Sequence, residues 1–265
     1  MFTPVIPTGG LSGWRFLQET YDKQFAAFSQ SIELKRDVDY FRETIGGIGT
    51  AEQFVDDRRL MQVALTAFGL EQDLDSKFFI RKILEEGTTN EDALANRFAD
   101  PRYSDLSAAF GFGPGEFLKT GEPLFAEAII ERFEAVSFEV AAGEQDQSMR
   151  FALYAERELG TLAQEDTTND TKWFTIMGEP PLRSIFETAL GLPTEFGQVD
   201  IEQQLVVFKE RAAKEFGTDE IAQFTDPEAV QDLVTKFLVR DQIKQLGNGF
   251  SSGAIALTLL QNSVR

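Results

Sequence analysis

The chain has 265 residues, 44 acidic and 25 basic, for a formal charge of −19 at pH 7, and 42% of its residues are hydrophobic. Such a chain is long and apolar enough to fold around a substantial core, while its mean field repels nucleic acid and anionic membranes. Cys and His are both absent, which excludes a disulfide frame, Cys or His zinc sites, a thiol nucleophile and a Ser-His-Asp triad.

The opening stretch "MFTPVIPTGG" has neither a basic region nor a long apolar run and so predicts no cleaved secretory signal. Apolar spacing over residues 14–45 predicts one long helix or two shorter ones, closed by "GGIG" at 46–49. Thr50 and Gln53 have the spacing of a capping box. They open a predicted helix in which Phe54, Leu60, Met61, Leu65 and Phe68 share a broad face, with Gly69 as a left-handed C-cap. Residues 75–86 read as a helix stopped by Gly87, and residues 91–98 as a short helix behind Asn90. In "DPRY", Asp100 is an N-cap and Pro101 the first helical residue.

The Gly- and Pro-rich "GFGPGEFLKTGEP" at 111–123 marks an internal boundary. Two longer helices are expected after it, at about 123–142 and 144–164, followed by a polar loop at 165–171. Phe supplies 25 residues against 4 Tyr and 2 Trp, and rings without a polar handle are expected to fill the core.

A pattern recurs along the chain. "LMQVALTAFGL" at 60–70 aligns with "LRSIFETALGL" at 182–192 at a shift of 122 (192 − 70). Four residues of insertion later, at a shift of 126 (226 − 100), the Phe-x-Asp-Pro elements beginning at Phe98 and Phe224 coincide. Shared caps and apolar positions in one order predict an all-α, multi-helical body with two related helical repeat units joined by a helical bridge. The expected division is an N-terminal arm at 1–49, a first unit at 50–113, bridging helices at 114–172, a second unit at 173–247 and a C-terminal segment at 248–265.

At the C-terminus, Gly247, Asn248 and Gly249 are expected to end the preceding helix, and Ser252 to cap a short final one. Ile255, Leu257, Leu259 and Leu260 then form a wide apolar face, which docks either on the protein's own body or, as a partner-binding segment, in a groove of another protein. The longest nearly apolar run, "GAIALTLL" at 253–260, is far below the ~20 residues of a membrane span.

Motifs for chemistry are weak. "GIGTAE" at 47–52 and "GFGPGE" at 111–116 contain Gly-x-Gly without a preceding strand or dinucleotide spacing, and both read as turns. "DTTNDTKWFTIM" at 166–177 starts like a calcium loop, but Thr171 replaces the turn glycine and Met177 the bidentate Glu. The carboxylate pairs in "RDVDYF", "DLD" and "ERE" suit a solvated face better than an acid and base pair, because adjacent and alternate helical residues point apart. The reading therefore assigns no catalytic residue, no metal ligand and no cofactor.

The stretches "GWRFLQ", "RDVDYFRE", "DRRLMQVAL", "FFIRKILEEGT" and "ANRFADPRY", with "GEQDQSMR", "KWFTIMGEPPLR", "FETALGLP" and "QQLVVFKERA" in the second half, carry a family likeness. The chain resembles an uncharacterised alphaproteobacterial domain-of-unknown-function family commonly encoded among flagellar genes. That resemblance brings no active site. It implies association with flagellar biogenesis or structure. With no motif nominating a reaction and no cleaved signal expected, the first reading is a non-enzymatic protein that binds a protein partner such as a flagellar component, in the cytoplasm or in the flagellum after export without a cleaved signal. A cytosolic adaptor or export-chaperone-like module is the alternative, and an enzyme the third.

Overall fold

The computed structural model describes residues 2–249, and among the described residues the regular structure is entirely helical. Helix α1 (Gly10–Ser29) and α2 (Ile32–Thr44) make the N-terminal arm. Next come α3 (Ala51–Asp56), α4 (Arg58–Ala67), α5 (Lys77–Glu86) and α6 (Arg102–Phe110). A hairpin of α7 (Phe125–Gly143) and α8 (Gln147–Gln164) follows, then α9 (Asn169–Gly178), α10 (Pro180–Ala189), α11 (Ile201–Phe216) and α12 (Pro227–Gly249).

The hairpin is the centre of the molecule. α7 packs on α2, α4 and α8, while α8 packs on α10, α12 and the 3-10 turn Ile221–Thr225. α7 buries residues around most of its circumference, including Phe125, Ile129, Phe133, Val136 and Phe138, as a helix enclosed by neighbours must. One connected core runs from Trp14 on α1 to Leu238 on α12. Most Phe rings fill it: Phe28 meets Phe138 edge-on, Phe54 meets Phe110, and Trp173, Phe186, Phe208 and Phe224 form a chain of ring contacts.

Local chemistry sets the helix ends. Gly69 and Gly191 have φ of 68° and 66°, and in both places the glycine and the next residue donate to carbonyls of the last turn: Gly69 to Thr66 and Leu70 to Leu65, Gly191 to Thr188 and Leu192 to Glu187. This left-handed closure is cheap for glycine and strained for any other residue. Asp100 accepts a bond from the Arg102 amide at 3.1 Å, and Asp226 one from the Glu228 amide at 3.0 Å.

Three expectations are corrected. The helix expected from residue 50 to Phe68 is two helices, because Asp57 breaks the chain at φ −89°, ψ 96° and caps α4 by accepting from the amides of Arg59 and Leu60. Residues 91–98 form a 3-10 helix, Leu94–Arg97, behind a turn in which the Asn90 side chain accepts from the Asp92 amide. α12 continues through Gly247 and Asn248 to Gly249, since each glycine costs a helix only about 1 kcal/mol.

Two stretches of the chain share an order of elements. α3, α4, a 3-10 turn at Glu71–Asp73, α5, a 3-10 turn at Leu94–Arg97 and α6 run parallel to α9, α10, a 3-10 turn at Thr194–Gln198, α11, the turn at Ile221–Thr225 and α12. Their last helices take different neighbours: α6 packs on α5, whereas α12 packs on α10, α8 and α1.

Candidate functional site

Helices α2, α4 and α7 pack pairwise, and a groove of about 360 Å³ lies between them. α7 contributes Phe133, Ser137, Val140 and Ala141 and its C-cap Glu144, whose spacing of three and four places them on one stripe. α4 adds Gln62 and Thr66, one turn apart, and α2 adds Glu33, Leu34 and Asp37. Phe28, at the end of α1, and Leu74 complete the apolar lining.

The rim has one sign. Glu33, Asp37, Glu71 and Glu144 line the groove, and no Lys or Arg does. Arg59 donates to Asp37 at 2.7 Å and Arg150 to Glu71 at 2.7 Å, both from outside the lining. The second carboxylate oxygen of Glu71 is buried and has no hydrogen-bond partner. A concave, largely apolar surface with a few polar groups is the ordinary form of a binding site.

A second cluster lies where α8 meets the start of α6 and the junction of α9 and α10. Tyr154 on α8 donates its hydroxyl to Glu179, which stands between α9 and α10. Arg102 holds both oxygens of Asp100, with Nη2 at 2.7 Å, and donates from Nη1 to the Gly69 carbonyl at 2.6 Å. Arg157 grips buried Glu139 at 2.6 and 3.2 Å and also bonds Glu158. Burial pushes the Glu179 carboxyl up to about 7; Glu158 reinforces the rise, and the Tyr154 hydrogen bond and Arg102 oppose it. Burial and then the Glu179 charge raise Tyr154 well above its ordinary value, so its hydroxyl keeps its proton. A cavity of about 190 Å³ adjoins, lined in part by Asp105, Glu158, Glu165 and Glu179. This cluster can hold a proton near neutrality.

Ile255, Leu257, Leu259 and Leu260, expected to bind a partner, lie outside the described residues. The "RDVDYF" and "DLD" carboxylates are separated, as expected of pairs that do no joint chemistry: Asp37 goes to Arg59, Asp39 to Arg42, Asp73 to Tyr103 and Asp75 to Arg58. "ERE" is a correction, because it is not a solvated face. Glu156 is half-buried and accepts from Gln18 and Gln231, while Arg157 and Glu158 belong to the buried cluster. Gly47 lies in the 3-10 turn Ile45–Gly47, and Gly111 is the left-handed C-cap of α6. The calcium-like stretch runs into α9, with Thr168 as its cap, and among the described residues no three carboxylates gather as a metal cage.

Sequence reasoning missed both the groove and the Tyr154–Glu179 pair. One signal for the pair was present: Glu179 stands 122 residues after Asp57 (179 − 57), in the register of the aligned helices.

Fold and groove together define a helical protein with a built concave surface and, among the described residues, no helix long and apolar enough to cross a membrane. The family model described as "Protein of unknown function (DUF1217)" matches residues 67–230, more than half of the chain, and the protein belongs to that family. The crystal structure of protein AGR_C_984 from Agrobacterium tumefaciens is similar, with a TM-score of 0.74 and 24% identity over 91% of this chain and 99% of that one. At that identity the likeness establishes the fold alone. Among the curated proteins none matches.

Proposed function

We propose that this is a non-enzymatic protein associated with flagellar biogenesis or structure, acting through protein contacts made at the α2–α7 groove. The groove carries the contact reading: its exposed lining is largely apolar, small residues sit beside large ones, and a few polar groups are set among them. The flagellar part rests on the family resemblance. The acid–base pair Tyr154–Glu179 belongs to the buried seam between the units and gives no comparable support to an enzyme.

A tagged pull-down from the native cell, run with the natural chain and with Ser137→Tyr to fill the groove, tests both parts. The expected result is a named flagellar component captured by the natural chain and lost with the filled groove. Equal capture by both chains removes the groove, and capture without any flagellar component removes the association. A cytosolic adaptor or export-chaperone-like module uses the same groove; fractionation separates the readings, because an axial protein accompanies isolated filaments or basal bodies and a chaperone stays in the lysate with its client.

The matching element orders and caps at Gly69 and Gly191 also support reading residues 50–113 and 173–247 as copies of one ancestral unit. Replacing residues 182–192 by the sequence of 60–70 should then keep the helical circular-dichroism spectrum, and a collapsed chimera would count against common descent.

A further inference from the structure

Resting on the reading that the groove is a partner site, we propose that its occupant is an amphipathic helix of a partner protein, with Lys or Arg flanking its apolar stripe. Shape supplies the first argument. The α7 wall runs from Phe133 to Glu144, a rise of about 16 Å, the length of three helical turns. α2, α4 and α7 pack pairwise and all three line the groove, so a fourth helix completes the packing, with its ridge laid in a groove between helices. Ser137, Ala141 and Thr66 keep part of that surface shallow enough for close approach.

Charge supplies the second argument and selects the flank. Four carboxylates and no cation line the groove; Arg59 and Arg150 already pair with Asp37 and Glu71, and exposed Glu144 is the group that would repel an acidic helix and that a partner's Lys or Arg would meet. The overall charge of −19 steers any cation toward this protein, but only groups in the groove can make the attraction depend on groove shape.

The test uses the full chain and two fluorescent peptides of about 18 residues, five helical turns, with one leucine stripe flanked by Lys in the first and by Glu in the second. Fluorescence anisotropy in about 0.15 M salt, where long-range attraction is screened, is expected to give a Kd at least tenfold lower for the Lys peptide. Ser137→Tyr should weaken its binding about tenfold, and Glu144→Lys several-fold. Glu202→Lys, an equal charge change at an exposed position of α11, should leave it unchanged.

Equal binding of the two peptides overturns the proposal. So does a Glu144→Lys effect no larger than that of Glu202→Lys, a comparison that holds even if Ser137→Tyr fails to fold, since Glu144 is exposed. A dimer in sedimentation that Ser137→Tyr breaks would give the groove to a second copy. A tenfold gain in Lys-peptide affinity on Leu257→Asp with Leu259→Asp would give it to the chain's own C-terminal segment; both results also overturn the proposal. If a flagellar component is captured through the groove while the two peptides bind alike, the functional reading stands and the cationic helix falls. If the Lys peptide binds as expected and no flagellar component is captured, the reverse holds.

Discussion

Asp57 and Glu179 stand 122 residues apart at the starts of α4 and α10, and each accepts a hydrogen bond from a tyrosine, Tyr40 or Tyr154. An arginine lies over each ring, Arg59 at 4.7 Å from Tyr40 and Arg157 at 5.0 Å from Tyr154. Only Asp57 performs the capping task, accepting from two backbone amides at the half-exposed start of α4. Glu179 makes no capping bond and is 7% exposed, with Tyr154 and Arg102 around it. The same local device is thus an ordinary cap where water reaches it and a proton-holding group where the neighbouring helices cover it.

The two Phe-x-Asp-Pro elements show the same contrast. Phe98 is 39% exposed, whereas Phe224 is 1% exposed because α8 packs over the turn that carries it. Asp226 is a simple cap, while Asp100 also neutralises Arg102, which is largely buried.

The largest expected contrast is between the phenylalanines. Phe224→Ala should cost about 4 kcal/mol in denaturant melts and Phe98→Ala about 1, since only the first leaves a closed cavity; equal losses would mean that the two turns are covered alike. Next comes pH. Because folding raises the Glu179 carboxyl from its ordinary 4.5 to about 7, the folded state binds the proton more tightly than the unfolded chain. That contribution is fully present below about pH 4.5 and is lost as pH rises through about 7, a swing of about 3 kcal/mol. Glu179→Gln, with Tyr154 still able to donate, should flatten the stability profile across that window. A profile unchanged by the substitution would show that Glu179 stays ionised.

Smaller effects separate the aspartates and the glycines. Asp226→Ala should cost about 1 kcal/mol, the value of a cap, and Asp100→Ala about 2 to 3, because it also strands Arg102. Melts ranking Asp226→Ala as the worse would remove the ion pair from the account. Gly69→Ala and Gly191→Ala should each cost about 1 kcal/mol for a left-handed backbone. Gly69→Ala should be slightly the worse, since its new methyl meets Arg102 at 3.2 Å where that of Gly191→Ala meets Arg240 at 3.8 Å.

Much of the helical order was legible because helix ends are decided within a few residues. Gly69, Gly87 and Gly111 stop helices through backbone freedom, and Asp226 with Pro227 starts one through a side-chain acceptor and a fixed φ. The errors were also local. Asp57 split an expected helix because a carboxylate that can cap competes with helix continuation, and apolar periodicity runs on through such a break.

The sequence by itself determined the helical class, most of the stops and starts, and the acidity that any partner must meet. Only the tertiary structure decided where that acidity matters. The groove joins Phe28, Asp37, Thr66, Glu71 and Ala141 from four helices and a turn, and the seam joins Arg102, Tyr154 and Glu179. Such groups meet through packing of the core, which depends on side-chain shape summed over the whole chain; no short-range pattern encodes it. Burial is likewise a property of neighbours, which is why Asp57 and Glu179, in matching register, came to do different work.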